Sequence, residues 1–408
     1  MKEVRLDLFK LNNENDRGKG RIKVLIDKQF YRNCLKEIRN SNAKNANIAQ
    51  EMNISYFEFM KSLENNLLPI DSLAKLISLY GKRSKLTRDS LENHFLSKIK
   101  KIFCNSGKAF TSVNCIDKLT EDLCKICGAI ATDGTLHLEK NAKGNGYLIE
   151  LSDFYETNVK LFCHWLQKVF GIKANYKRHR SGNYFETRFK NKIVFRYLSR
   201  ILGIPIGKKS KFIKMPEIIK NSGLNYKKAF VTAALLFDGG VIFKSGYYQF
   251  SSKSLSLIKD VENVLIECGI KPDHVDRLPD KNEVYRLLIR NKDKLKKVLT
   301  NFLPPNSTKY SQLNLHINGF EEIKDLNEVM KTLNELYPRF GKSLIFSDII
   351  NLISDGELFV ADDLVKKLGK SKQVIKKSLN KLEKWNVLSS NKSKGRINKV
   401  WSLNQFLK

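Results

Sequence analysis

The sequence lacks any apolar run long enough to cross a bilayer, and acidic residues are scarce in it. Among its 408 residues, 42 Asp and Glu stand against 74 Lys and Arg, which gives a net charge of +32. The opening residues, MKEVRLDLFK, are also too charged for a secretory signal. A chain this basic and without an apolar anchor is typical of proteins that bind a polyanion. We therefore predict nucleic acid as the partner, no membrane, and a location in the prokaryotic cytosol or nucleoid.

Stable disulfides are not expected, because the seven cysteines are an odd number in a chain without a secretion signal. Cys124 and Cys127 form a CxxC pair, and Cys104 and Cys115 precede them, so a zinc site is an alternative. The pair falls inside an apolar helical stretch, however, and the other spacings differ from those of zinc-binding motifs. Buried thiols are the favoured interpretation.

Two ten-residue stretches share one pattern, ICGAIATDGT at 126–135 and VTAALLFDGG at 231–240. In each, small and apolar residues lead to an acid, Asp133 or Asp238, and then to a glycine. We predict two helices that pack backbone to backbone through their small residues, so that their ends meet. Gly134 and Gly239 would supply left-handed caps. Two carboxylates at helix C-termini are unfavourable, a cost that a divalent cation removes, and such a pair suits phosphoryl chemistry.

These paired stretches resemble the LAGLIDADG (DOD-type) homing endonucleases in their single-chain, two-motif form. The resemblance implies an α+β fold in which each motif heads an αββαββα half and two antiparallel sheets form a saddle over double-stranded DNA. It also implies that Asp133 and Asp238, together with Gly134 and Gly239, hold the Mg²⁺ ions that cleave the two strands, with Mn²⁺ as a substitute. One chain would then act as a monomer with internal pseudo-dimer symmetry.

The resemblance further places a lysine near each metal site, after the second helix of each half. Lys209 and Lys309 match by position, and a catalytic role for them is the prediction. Lys208, Lys211 and Lys214 crowd the first position, so the assignment there stays open, and plain surface lysines are the alternative.

Hydrophobic periodicity independently predicts the order strand, strand, helix, strand, strand, helix after each motif. We expect an endonuclease domain over 115–319, with halves at 115–219 and 226–314. Residues 173–214 contain 13 Lys or Arg but one acid, which favours phosphate contact over a solvated basic face. The strand residues predicted to contact bases are His137, Glu139, Arg178, Arg180, Arg188, Lys190, Gln249, Arg277 and Arg286.

The length allows further domains on both sides. Residues 1–81 are predicted as an arm or edge strand followed by an all-α domain that resembles a helix-turn-helix, with 82–114 as a basic helical linker. The second helix of that motif, 55–63, would offer Ser55, Tyr56 and Glu58 to DNA. A plain helical bundle is the alternative.

After a linker helix at 320–343, residues 344–408 show three helices and a basic hairpin that resemble a winged helix. Ser371 would cap the helix in the groove. The side chains predicted to face DNA from that helix are Lys372, Gln373, Lys376 and Lys377, and those at the wing tip are Lys392, Lys394 and Arg396. A protein-binding wing is the alternative.

We therefore predict a site-specific DNA endonuclease that cuts both strands of a long asymmetric site. A transcription regulator that uses the same scaffold without cleavage is the alternative, and an RNA-splicing maturase is a third possibility. Both motif acids are present, which favours the nuclease.

Overall fold

The computed structural model describes residues 3–12, 16, 21–39, 44–82, 87–105, 110–141, 144–182, 184–242, 246–280, 282–320, 325–336, 345–353, 358–391 and 399–404. The chain divides into two compact units, Met1–Gly239 with Phe250–Leu287, and Gly240–Gln249 with Leu288–Lys408. Within the described ranges, no helix is both long and apolar enough to cross a membrane.

The first unit begins with a domain of helices and one antiparallel sheet. Its elements are β1 (Ile22–Ile26), α1 (Lys28–Arg39), α2 (Asn45–Glu51), α3 (Tyr56–Asn65), β2 (Leu67–Pro69), α4 (Ile70–Gly81), α5 (Arg88–Leu96), β3 (Ile99–Asn105) and β4 (Phe110–Asn114). The strands are antiparallel in the order β2-β1-β3-β4. Alternating burial along β1 directs Ile22, Val24 and Ile26 into the core.

Two predictions for this region are wrong. Residues 82–114 are not a helical linker, because α5 is followed by a hairpin that pairs with β1 and completes the sheet. Lys100 and Lys101 interrupt the apolar alternation of β3 and gave the segment a helical pattern. The domain is therefore α+β rather than all-α, and β1 is an inner strand rather than an edge.

A buried ion pair ties the N-terminal segment to the following half of the first unit. Arg196 is 1 % exposed and pairs with Asp16, which is 7 % exposed. The Arg196 guanidinium also donates to the carbonyl oxygen of Leu11 at 2.7 Å, and Lys192 Nζ donates to Asp16 at 2.6 Å. Residues 8–11 form one 3-10 turn with buried leucines, so this part of the predicted arm is packed against the protein.

The first motif heads a half of mixed helix and strand. Its elements are α6 (Glu121–Ala131), β5 (Gly134–Asn141), β6 (Gly144–Asp153), α7 (Glu156–Phe170), β7 (Tyr176–Arg178), β8 (Phe185–Lys190), α8 (Lys192–Arg196) with a π-helical turn at Tyr197–Ile201, and α9 (Glu217–Lys220). The sheet order is β5-β6-β8-β7. Leu136, Ile149 and Leu151 line its buried face.

The second motif heads a half with the same order of elements. They are α10 (Leu224–Asp238), β9 (Gly239–Ile242), β10 (Tyr247–Ser252), α11 (Leu255–Glu267), β11 (His274–Val275), β12 (Tyr285–Ile289) and α12 (Lys292–Phe302). The strands form a sheet in the order β11-β12-β10-β9. The predicted order of strands and helices is confirmed in both halves, and so is the α+β class.

The second unit continues into a C-terminal module. Its elements are α13 (Thr308–Asn318), α14 (Leu326–Leu336), α15 (Ile345–Ile353), β13 (Phe359–Val360), α16 (Ala361–Leu368), α17 (Lys372–Lys384), β14 (Leu388–Asn391) and β15 (Val400–Leu403). The strand order is β13-β15-β14. Val329 and Leu333 of α14 share one core with Trp385, so the predicted linker helix is part of this module. Lys392, Lys394 and Arg396 lie outside the described residues.

Candidate active site at two helix ends

The helices α6 and α10 pack against each other through their small residues. A Cβ atom on Gly128 would lie 2.3 Å from the carbonyl oxygen of Phe230 and 3.0 Å from the Cβ of Ala233. Only glycine therefore fits at this crossing, where one helix backbone touches the other. The predicted backbone-to-backbone contact is confirmed.

The CxxC pair lies within α6. Cys124 and Cys127 are fully buried, as predicted for structural thiols. Burial raises the pKa of both thiols, which disfavours the thiolate form that binds zinc. No group of three or more His, Cys, Asp or Glu side chains suited to a metal ion occurs in the described part of the chain.

The glycines after the two acids do not act as left-handed caps, so that prediction is wrong. Neither has a positive φ, and Gly239 has φ −83°. Gly134 is required for another reason, because a Cβ there would lie 2.7 Å from the Cα of Ile130 and 3.2 Å from the carbonyl oxygen of Glu150. The chain turns back against α6 as it enters β5, and only glycine allows that close approach.

A lysine takes the place of a glycine cap at the end of α6. Lys209 is buried, and its Nζ donates to the carbonyl oxygens of Ala131 and Thr132, both at 2.8 Å. These carbonyls belong to the helix end that has no intrahelical donors. Lys209 thus compensates the partial negative charge of the helix terminus from a position 77 residues along the chain.

Both motif acids act on this same ammonium. Burial lowers the pKa of Lys209 to about 8, while the carboxylates of Asp238 and Asp133 oppose that shift. Asp133 lies just beyond α6 and Asp238 is the last residue of α10, and both remain partly exposed. The carboxylates of both motif acids are therefore near enough to act electrostatically on one buried cation.

The other lysines of the first turn are placed differently. Lys208, Lys211 and Lys214 are exposed, and the last two pair with Glu283 and Glu217. Among the four candidates, Lys209 is therefore the buried one that contacts a motif helix.

Lys309 belongs to the second unit, where it is 5 % exposed and lies in the first turn of α13. Ser307 caps that helix, since its Oγ accepts from the backbone N–H of Tyr310 at 3.2 Å. The predicted second lysine is thus buried near a helix N-terminus.

The donor set at the helix ends fits a hard divalent cation. The carbonyl oxygens of Ala131 and Thr132 accept from Lys209, and the motif acids Asp133 and Asp238 supply carboxylate oxygens at the two helix ends. Mg²⁺ is commonly held by one or two carboxylates, with water and substrate phosphate completing its ligands.

The exposed face of the first sheet carries a network of opposite charges. Arg188 donates to Glu139 and to Glu150, both at 2.9 Å, and Lys190 pairs with Glu139 at 2.5 Å. Lys190 and Arg188 together hold the pKa of Glu139 below its ordinary value. Two predicted base-contacting cations are thus joined to each other by Glu139, itself a predicted contact, and His137 lies 3.9 Å from Glu150.

Several other predicted DNA contacts also hold partners within the first unit. Arg277 makes two hydrogen bonds of 2.9 Å to Glu262, and Arg286 pairs with Asp280. Arg178 Nε donates to the carbonyl oxygen of Gly182 at 2.9 Å. Arg180 is exposed and Gln249 is half-buried. Sequence reasoning missed these acidic partners, because each lies on a different element from its arginine.

The candidates in the N-terminal domain surround the start of α3. Ser55 caps the helix, accepting from the N–H of Glu58 at 3.1 Å, while Tyr56 and Phe57 are 54 % and 68 % exposed. Glu58 pairs with Arg21 at 3.4 Å and with Lys23. Its carboxylate is therefore already bound within the domain.

In the C-terminal module, Ser371 caps α17 as predicted, accepting from the N–H of Val374 at 3.4 Å. Lys372 pairs with Asp362 at 2.6 Å. Gln373, Lys376 and Lys377 are exposed along the same helix. The four predicted side chains are therefore exposed, with Lys372 already paired, and their contact with DNA stays a prediction.

The buried ammonium of Lys209 predicts a specific pH dependence of stability. In the folded chain it loses its proton near pH 8, but the unfolded chain keeps that proton up to its ordinary pKa of 10.5. Between these values the unfolded chain binds more protons, so the contribution of Lys209 to the free energy of unfolding rises with pH. We expect the difference between wild type and Lys209→Met to grow by on the order of 1–3 kcal/mol over this window.

Urea unfolding in EDTA at several pH values measures that difference. Subtracting the Lys209→Met curve from the wild-type curve cancels the other groups that titrate in this range. A difference that stays flat, or that falls with pH, would show that Lys209 is not buried as a desolvated cation.

Parts of the chain are similar to known proteins. Residues 225–302 match the family model of the LAGLIDADG-like domain. The chain is similar to the homing endonuclease I-DmoI solved with DNA and Ca, at 18 % identity over 48 % of this chain and 97 % of that one, with a TM-score of 0.37. No curated protein sequence matches.

Two further solved structures are similar over about half of the chain. The homing endonuclease I-WcaI bound to its DNA recognition sequence matches at 13 % identity over 49 % of this chain and 87 % of that one, with a TM-score of 0.32. The N-terminal LAGLIDADG domain of DUF199/WhiA matches at 11 % identity over 45 % and 80 %, with a TM-score of 0.29. The family match contains the second motif and its acid, so residues 225–302 are similar to the LAGLIDADG-like domain.

Proposed function

We propose that this protein is a site-specific DNA endonuclease that hydrolyses both strands of a long asymmetric site. The observation that carries the proposal is the close packing of α6 and α10, whose ends bear Asp133 and Asp238, with both carboxylates acting electrostatically on the buried ammonium of Lys209. Two carboxylates at the ends of two packed helices give each DNA strand its own acid, as cutting both strands requires. The pseudo-dimer lies within one chain, so we infer that a monomer is sufficient.

Each residue has a distinct part in the proposed reaction. Bound Mg²⁺, or Mn²⁺ in its place, would activate water and stabilise charge on the phosphate under attack. Asp133 and Asp238 would bind and orient the cations at the helix ends. The Lys209 ammonium would oppose the negative charge that develops nearby, and its bonds to Ala131 and Thr132 hold the last turn of α6 in place.

Charge supports double-stranded DNA as the partner. A net charge of +32 favours a polyanion, and the first sheet exposes Arg188 and Lys190 on one face. Their pairing with Glu139 fixes both side chains before DNA arrives. Prepaired side chains contribute to the choice of bases more than to phosphate affinity, since their charges are already compensated.

Cleavage of DNA that the chain itself selects tests the proposal. Sites would be recovered from random duplexes by the purified chain in Ca²⁺ and then offered Mg²⁺, Mn²⁺ or EDTA. We expect linear product with Mg²⁺ and Mn²⁺ and none with EDTA. A folded chain that binds its sites tightly and never cuts them with either metal would instead favour the regulator.

We also propose that the C-terminal module binds DNA as a winged helix does. Its order of helices and the strand order β13-β15-β14 fit such a module, and α17 exposes Gln373, Lys376 and Lys377 together. We infer that this surface contacts phosphates on one side of the cleavage site.

Salt dependence tests the contact, because each phosphate neutralised by a lysine releases counterions. Lys376→Ala should reduce the slope of log affinity against log salt by about one. Lys372→Ala should reduce it less, since its ammonium is already paired with Asp362.

Lys367→Ala, an exposed lysine on the neighbouring helix α16, serves as the matched control. If Lys367→Ala and Lys376→Ala change the slope equally, α17 has no special role. If neither changes it, the module more plainly fits a protein partner.

A further inference from the structure

The last turn of α10 is held by a side chain from the first half. Asn158 of α7 is fully buried, and its Nδ2 donates to the carbonyl oxygen of Leu236 at 3.3 Å. The same Nδ2 donates to Asp153 Oδ2 at 3.0 Å. Leu236 lies two residues before Asp238, so the amide contacts the turn that carries the second motif acid.

Asp153 in turn fixes the orientation of this amide. Its carboxylate is 7 % exposed, and its Oδ1 accepts from the backbone N–H of Tyr155 at 2.6 Å. One oxygen of Asp153 therefore holds the start of α7 and the other holds Asn158. A buried carboxylate with donors on both oxygens keeps one geometry, and the amide bonded to it does too.

Each motif helix accepts a side-chain hydrogen bond near its C-terminus. The carbonyls at the end of α6 accept from the ammonium of Lys209, whereas the Leu236 carbonyl of α10 accepts from the neutral amide of Asn158. Carbonyls in the last turn of a helix need such outside donors. The turn that carries Asp238 therefore receives a hydrogen bond from a side chain of α7.

The second half does not repeat the Asp153–Asn158 pair. Ser252 ends β10 as Asp153 ends β6, and its Oγ accepts from the N–H of Ser254 at 3.1 Å, just as Asp153 accepts from Tyr155. Three residues after the cap, where the first half has Asn158, the second half has Leu257, fully buried. Aliphatic Leu257 cannot donate to a helix carbonyl.

We propose that Asn158, oriented by Asp153, is a positioning residue for Asp238 and thereby sets the rate at which one particular strand is cut. This inference rests on the proposed endonuclease function. Cleavage of the DNA strand that uses Asp238 would depend on the Asp153–Asn158 pair. Cleavage of the strand that uses Asp133 would not. Loss of the Asp153–Asn158 pair converts the enzyme into one that cuts mainly one strand of the duplex.

The size of the effect follows from geometry. A shift of about 1 Å in a group that orients the reacting atoms can lower a rate by about 10²-fold. Removing the Asn158 amide frees the Leu236 carbonyl and lets the last turn of α10 unwind or rotate. We expect the cut that depends on Asp238 to slow at least tenfold and the other cut to stay within about twofold.

Two variants test the inference, Asn158→Leu and the double change Asp153→Ser with Asn158→Leu. Each gives the first half the residues that the second half has at the matching positions. The double variant removes the buried carboxylate together with its partner, so it tests the idea even if the single variant folds poorly. The control is Thr187→Val, because Thr187 is also buried and its hydroxyl donates to the carbonyl oxygen of Asn175 at 2.8 Å rather than to a motif helix.

Strand-resolved cleavage of a doubly labelled duplex is the first measurement. We expect both Leu variants to accumulate a nick in the strand that Asp238→Asn still cuts, while Thr187→Val gives wild-type ratios. Equal slowing of both strands would mean a general structural role and would overturn the proposal. So would an unchanged ratio of the two cuts.

Metal binding gives a second measurement that does not require cleavage. In an Asp133→Asn background, calorimetric titration with Mn²⁺ reports the site that keeps Asp238. Adding Asn158→Leu should weaken Mn²⁺ binding about tenfold, and Thr187→Val should not. A chain that cuts no DNA but shows this loss would refute the endonuclease and support the positioning role. Unchanged Mn²⁺ affinity would overturn that role.

Discussion

Replacing Asp133 or Asp238 by asparagine should remove double-strand cleavage and leave DNA binding almost unchanged. Asparagine keeps the shape of the side chain but not the charge that balances a divalent cation, so each variant would lose one of the two proposed metal ligands at the helix ends. The rate of linear product formation should fall on the order of 10²–10³-fold or more. Each variant should at most nick one strand, and the two variants should nick opposite strands.

Quantified gels of linear and nicked product, with binding measured in Ca²⁺, test this expectation. Glu121→Gln is the matched control, since it removes an exposed acid from the opposite end of α6. It should cut as wild type does. Normal linear product from either asparagine variant would place the catalytic metal elsewhere.

Gly128→Ala should be strongly destabilising although it adds a single methyl group. That methyl would lie 2.3 Å from the carbonyl oxygen of Phe230, a backbone atom, so α6 and α10 must move apart. Overpacking of this kind costs about 1–3 kcal/mol for a small addition, and Gly128→Val should cost more. Both acids depend on the same helix contact, so cleavage of both strands should fall together.

Urea unfolding gives the free energy of each variant, with an unchanged m-value indicating the same folded state. Gly240→Ala is the control, because a Cβ at that position meets nothing within 4 Å and the residue lacks a positive φ. It should match wild type. A Gly128→Ala protein as stable as wild type would mean that the helices do not touch there.

The sequence predicts well those features that a local pattern controls. The repeat around Asp133 and Asp238, the small residue at Gly128 and the order of strands and helices after each motif all follow from periodicity and residue size. Ser371 as a helix cap follows from the same kind of local chemistry. These features depend on neighbours within a few residues, so one stretch of sequence contains what is needed to predict them.

Features that depend on distant partners were missed or wrong. The cap of α6 comes from Lys209, and no pattern near Gly134 indicates that a lysine replaces the expected left-handed glycine. Glu139 and Arg188 are 49 residues apart and meet only through the register of the sheet. The strand β3 was predicted as helix because its partner β1 lies far earlier in the chain. The sequence of β3 alone does not identify it as a strand, because its pairing with β1 is what makes it one.

The buried pair of Arg196 and Asp16 limits how far the proposed endonuclease could be shortened for use as a genome-editing reagent. Asp16 precedes the first motif by more than a hundred residues, yet it neutralises a guanidinium inside the first half. A shortened reagent built from the two motif halves alone would keep that guanidinium and discard its carboxylate, leaving an uncompensated charge in a dry interior. The two motif halves therefore depend on the N-terminal segment. A compact derivative has to retain that segment or replace Arg196 with an apolar side chain of similar volume.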